Sequence, residues 1–145
     1  MKTGETIFEN SMIEYSPYAG CIYTKIPDVV GSVAHIARKQ QEPYLKPWEK
    51  AYVAHGRPCD GIFTCQYGNA FIEAKYDCNI LTPNQLKFGK KITSINHLFF
   101  VIRKKPFKNE IQYSFADVYG QTLFKTDNII ELVKAIRGKI KEYTK

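Results

Sequence analysis

The sequence predicts an α/β fold, with a central mixed β-sheet flanked by helices. The order is helix, strand, strand, strand, helix, strand (αβββαβ), then a further strand and a C-terminal helix. Three observations carry this. Residues 57–63 and 68–76 are apolar runs separated by a short polar, glycine-marked stretch, which signals a hairpin. His97 to Arg103 is a continuous apolar run, as in a central strand buried on both faces. Apolar residues recur at helical spacing near both ends of the chain. At 145 residues the chain suits one domain around a single core.

The elements follow in order. Gly4 to Tyr15 reads as a helix capped by Thr3 or Thr6, with acids near its start, where the dipole favours them. Ile7, Phe8, Met12 and Ile13 are expected to face the core. Ser16 to Gly20 ends the helix, and Cys21 to Ile26 alternates as a strand closed by Pro27. Residues 28–55 form an irregular excursion, polar and basic around Arg38 and Lys39, with a short strand at 51–55 leading out of it. After the hairpin and a crossing loop, Thr82-Pro83-Asn84 starts a helix carrying Gln85, Lys87, Lys90 and Lys91. Lys104 to Asn109 reads as a basic turn. Ile111 to Phe115 reads as a strand, and Gln121 to Lys125 as a short one. Thr126 or Asp127 caps the last helix, whose stripe is Ile129, Ile130, Leu132, Val133, Ile136 and Ile140.

The hairpin carries the chemistry. Period 2 puts Phe71, Glu73 and Lys75 on one strand face and Ile72, Ala74 and Tyr76 on the other. A turn at Tyr67-Gly68 sets Asp60 opposite Lys75. A turn at Gly68-Asn69 sets it opposite Asp77, on the same face. A loop of odd length sends Asp60 to the face of Ile72 and Ala74. Together, an Asp, a Glu and a Lys suit phosphoryl chemistry. Two carboxylates are hard ligands for Mg²⁺, and a lysine can orient water or neutralise charge growing on a phosphate. The alternative is an ordinary cross-strand Glu/Lys pair beside a turn aspartate.

Pro58-Cys59-Asp60-Gly61-Ile62-Phe63, then Ala70-Phe71-Ile72-Glu73-Ala74-Lys75, then Gln85, then Leu98-Phe99-Phe100-Val101-Ile102 resembles the PD-(D/E)XK nuclease superfamily. Within it, the order is most similar to the RecU-type Holliday junction resolvases. Cys59 stands between Pro58 and Asp60, where the superfamily name places Pro and Asp side by side. The resemblance implies a restriction-endonuclease-like core and a Mg²⁺-dependent DNA endonuclease, with Mn²⁺ able to substitute. It implies metal held by Asp60, Glu73 and the Ala74 carbonyl, with Lys75 positioning water. Gln85 would stand beside the site, and Glu9 on the first helix near the metal. It further implies a homodimer cutting opposing strands of a four-way DNA junction, with residues 28–55 projecting into it. That would give Arg38, Lys39, Lys46 and Lys50 phosphate contacts.

Composition bears on partners. A net charge of +7 favours polyanions, either nucleic acid or acidic membrane. No apolar run is long enough to span a bilayer, and residues 1–10 lack a secretory pattern, so a cytoplasmic location is expected. Arg57 and His55 precede Asp60 closely enough to reach the same cleft. With Lys87, Lys90, Lys91, Arg38 and Lys39 they complete the expected DNA contacts. Four cysteines lack zinc spacing and read as free thiols on half-buried strands. Two further readings stay open: an exonuclease or restriction-type enzyme of the same superfamily, and a basic nucleic-acid-binding module without catalysis.

Overall fold

The computed structural model describes residues 3–27 and 59–144. The excursion at 28–55, with Arg38, Lys39, Lys46, Lys50 and His55, lies outside the described residues, as do Arg57 and Pro58.

Helix α1 spans Gly4–Tyr15, and the Thr3 hydroxyl caps it by accepting the Thr6 N–H at 3.1 Å. Its inward stripe is Phe8, Glu9 and Met12, continued by Ser16. Ile7 and Ile13, expected in the core, are 47% and 43% exposed. At about 100° per residue they fall outside the arc centred on that stripe. A glutamate takes the inward position instead.

The sheet has six strands in chain order: β1 (Ile22–Lys25), β2 (Gly61–Cys65), β3 (Gly68–Tyr76), β4 (Phe99–Phe107), β5 (Glu110–Ala116) and β6 (Thr122–Thr126). Neighbours are antiparallel except β3 and β4. That parallel pair needs a crossover, supplied by α2 (Pro83–Ser94). Helix α3 (Ile129–Tyr143) closes the order. The mixed sheet with flanking helices is the architecture the sequence predicts.

One sheet face carries Phe63, Ala70, Ile72, Ala74, Phe100, Ile102 and Phe115. It packs on Phe8 and Met12 of α1 and on Leu132, Val133, Ile136 and Ile140 of α3. Each large apolar side chain fully buried there contributes about 1.5–3 kcal/mol. The other face buries Phe99 and Val101 with Cys59 and Val118, under Leu86, Phe88 and Ile92 of α2. Gly89 lets the helix come this close: a Cβ there would stand 2.8 Å from the Phe99 ring and 2.7 Å from Val118. Two covered faces explain why Phe99 to Ile102 is apolar without alternation.

Three boundaries differ from the sequence reading, and so does the placing of the cysteines. Cys65 pairs with Gly68, so the β2–β3 turn is Gln66-Tyr67, one residue earlier than the first even reading and two earlier than the second. The register moves by two residues from the first reading and four from the second, keeping its parity, and the ladder ends at Gly61↔Ile72, so Asp60 pairs with neither Lys75 nor Asp77. Lys104 to Phe107 is strand, and only Lys108 and Asn109 turn. Lys108 takes φ 55, the first position of a primed hairpin turn. Pro106 is tolerated because Pro106↔Ile111 is one step from the turn-closing Phe107↔Glu110 pair. Its missing N–H would point away from β5, past the last β3 residue paired to β4 (Tyr76↔Lys104). The α3 cap is Asn128, whose side chain accepts from Ile130 and Glu131 N–H; Thr126 ends β6 and accepts from Asn128 N–H. Finally, Cys78 is exposed and Cys65 half-buried, while Cys21 and Cys59 are buried just outside the strands.

Candidate active site

Asp60 sits where β2 and β3 stop pairing. Its N–H donates to the Ile72 carbonyl at 3.0 Å, although Ile72 is the partner of Gly61. Two residues of one strand thus meet one of the other, the arrangement of a β-bulge, which re-aims a side chain. The Asp60 carboxylate turns back to β3 and accepts the Ala74 N–H through Oδ2 at 2.7 Å. Ala74 is the residue between Glu73 and Lys75, so the aspartate is held against that segment. Asp60, Glu73 and Lys75 are all buried.

Glu73 is positioned from α2. The Gln85 Nε2 donates to Glu73 Oε1 at 2.8 Å. The same Gln85 side chain accepts the Thr82 N–H through Oε1 at 2.8 Å, while the Thr82 hydroxyl accepts the Gln85 N–H. This reciprocal pair is a capping box. One amide therefore starts the helix and orients the acid.

Glu9 stands on α1 and is also buried. Its Oε2 accepts from the Tyr23 hydroxyl at 2.7 Å, and its Oε1 lies 3.7 Å from Lys25 Nζ. Burial, then the adjacent Glu9 charge, push the Tyr23 hydroxyl far above the usual tyrosine range, so it remains a donor; Asp60 adds to that push. Tyr23 reaches Glu9 by lying across Gly61, where a Cβ would stand 2.5 Å from the ring and 2.8 Å from the Thr24 carbonyl. Cys59 is buried beside Asp60, close enough to feel both carboxylates of the hairpin. Burial first, then the charge of Glu73, with a smaller part from Asp60, raise its thiol to about 12.

Sequence reasoning missed Tyr23, Gly61 as its bed, and Arg103. Arg103 neighbours Lys75 in the parallel ladder, and its Nη1 donates to the Asp77 and Asn79 carbonyls at 2.7 and 2.6 Å. It fixes the crossing loop beside the lysine. The inward position of Tyr23 in an alternating strand was the one available signal for it.

Among the described residues, no three His, Cys, Asp or Glu side chains converge as a metal cage. The chemistry of the donor set is two buried carboxylates flanking a peptide unit. That fits an ion completed by water and phosphate oxygens, as Mg²⁺ is, rather than one enclosed by protein.

The chain shares its fold with an archaeal Holliday junction resolvase. The similar structure is that of Hjc from the hyperthermophile Archaeoglobus fulgidus, at 16% sequence identity and a TM-score of 0.52. The alignment covers 93% of this chain and 99% of that one. By sequence, no family profile and no curated protein matches.

The remaining expected DNA contacts within the described residues are Lys87, Lys90 and Lys91. All three are exposed on α2, away from its buried Gly89. No helix among the described residues is long and apolar enough to cross a membrane.

Proposed function

We propose that this protein is a Mg²⁺-dependent endonuclease that hydrolyses phosphodiester bonds in branched DNA, with a four-way junction as substrate. The observation that carries the reading is the grip of the Asp60 carboxylate on the Ala74 N–H, beside buried Glu73 and Lys75. The shared fold supports it, since the similar structure is a Holliday junction resolvase.

Asp60, Glu73 and the Ala74 carbonyl would hold the ion, and Mn²⁺ would substitute for Mg²⁺. When bound, such an ion polarises a phosphoryl oxygen and acidifies a water. The protein's own groups do the rest. Lys75 orients the attacking water or offsets charge growing on the phosphate. Gln85 keeps the Glu73 carboxylate in one orientation. Tyr23 does the same for Glu9, whose charge would act near the ion. The reading includes a homodimer, whose two-fold symmetry matches that of a junction.

The test is cleavage of a synthetic mobile four-way junction with and without Mg²⁺. Asp60→Asn and Glu73→Gln are each expected to abolish cutting while junction binding survives. A purified Glu73→Gln protein that still cuts in Mg²⁺ overturns the assignment.

A further inference from the structure

The ladder registers align one row of side chains across four strands. Lys75 pairs with Arg103, Arg103 with Ser114, and Ser114 with Lys125. Paired residues share a sheet face, so the row begins at the candidate active site and runs to the sheet edge. Three strand spacings of about 4.8 Å make it about 14 Å long. The next row outward on that face is Lys105 beside Gln112.

Helix α2 covers Phe99 and Val101 but not these rows. Lys125 and Gln112 are exposed, and Arg103, Ser114 and Lys105 are half-buried. Two hollows lie there. One of about 340 Å³ is lined in part by Arg103, Ser114 and Ile80, and one of about 440 Å³ by Lys105, Gln112, Lys125 and Phe107. Acids rim them too. Asp117 is committed to the Tyr119 and Gln121 N–H groups at 2.9 and 3.0 Å, while Glu110 and Asp127 lie on the outer margin.

We propose that this open face is the seat of one duplex arm of the DNA substrate, with Lys105 and Lys125 contacting phosphates and Ser114 and Gln112 donating hydrogen bonds. Arg103, anchored on the crossing loop, backs the row. The inference rests on the nuclease reading and adds to it a path for DNA leaving the site. Two things select DNA over a second copy of the chain. The rows themselves are basic and polar, and exposed Ile80 and Phe107 sit in separate hollows, where a self-complementary interface would be a continuous apolar patch. It is also continuous with the site through Lys75. A 14 Å row spans about four base pairs at 3.4 Å each. The contacts are to backbone, so they position the arm without reading its sequence.

The test is binding of a fluorescent four-way junction in EDTA, followed by anisotropy across a salt series. The Lys105→Glu/Lys125→Glu protein is expected to bind at least about ten-fold more weakly, with a salt slope smaller by about two. The control, Lys134→Glu/Lys139→Glu, makes the same charge change on α3, across the sheet. It is expected to lose less than about three-fold, since screening weakens charges at that distance. Equal losses in the two pairs, or none in the first, overturn the inference and leave the nuclease reading standing. A wild-type protein that binds no junction overturns both. Should the charge-reversed pair melt early, Lys105→Gln/Lys125→Gln carries the same test.

Discussion

Gly61 is a glycine because Tyr23 must cross it. A methyl group there would meet the tyrosine ring at 2.5 Å and a backbone oxygen at 2.8 Å. The ring could swing away, but the Thr24 carbonyl cannot. Gly61→Ala is therefore expected to destabilise the protein by about 1–3 kcal/mol, the range for overpacking, and to release the Tyr23–Glu9 hydrogen bond. Urea unfolding measures the first, and loss of cleavage exceeding that of Tyr23→Phe would show that backbone shifts reach Asp60. The cysteines give a second residue-scale test. Cys59 is raised to about 12 and Cys21 to about 11, each chiefly by burial. Below the ordinary thiol value near 9.0 both folded and unfolded chains hold the neutral thiol, so the full stability is present. Between 9 and 12 the unfolded thiols ionise first, and stability falls as pH rises. At pH 8, in the folded protein, a thiol reagent should label exposed Cys78 quickly and Cys21 and Cys59 only after unfolding. How legible was all this? The alternation of Phe71 to Tyr76 was enough to bring Glu73 and Lys75 to one face. It could not reveal that an aspartate at a ladder's end would turn onto a backbone N–H. That depends on a bulge, and a bulge is a tertiary event with no periodic trace. Ile7 and Ile13 misled for a related reason: helical spacing identifies a stripe, yet the choice of a buried glutamate within it depends on Tyr23, fourteen residues away.

At the scale of elements, α2 starts and the acid is aimed by one side chain, and two substitutions separate those roles. Gln85→Ala removes both hydrogen bonds, and a loss of about 1 kcal/mol is expected for the weakened helix start. Gln85→Glu keeps an acceptor for Thr82 N–H but sets a second acid against Glu73. It should keep the helix-start hydrogen bond that the alanine variant loses, with part of the gain in melting temperature cancelled by repulsion from Glu73, and leave cleavage impaired. Recovery of cleavage by the glutamate would show that only the helix start mattered. For α3, Asn128→Ala is expected to cost about 0.5–2 kcal/mol by thermal or urea unfolding, because its side chain accepts two N–H groups. Both threonine and aspartate were reasonable caps by residue type. Thr126 was taken by the strand that precedes the helix, an outcome that sheet pairing decides. The same competition extended β4 through Lys104, Lys105 and Pro106. Their composition reads as a turn, but β5 lay opposite and the proline's missing donor faced no partner.

Across the whole molecule the two sheet faces divide the work. One is closed by α1 and α3 and holds most of the large buried side chains; the other carries Glu73, Lys75 and the basic row. A cavity in the closed face should cost stability without changing the chemistry. Ile136→Ala, at a fully buried position, is expected to lose about 2–5 kcal/mol and still cut a junction at temperatures where it remains folded. The division has a consequence for how the chain can fail. Phe63 enters the core from the same strand whose continuation leads to Asp60, three residues before it, so a displacement of that strand moves both. An insertion of one residue that slipped the β2 register, instead of lengthening the Gln66-Tyr67 loop, would turn that phenylalanine out of the core in the same stroke that misdirects the aspartate. Misthreaded copies would therefore be recognisable by their greasy surface and open to degradation before they could circulate as intact but inert protein.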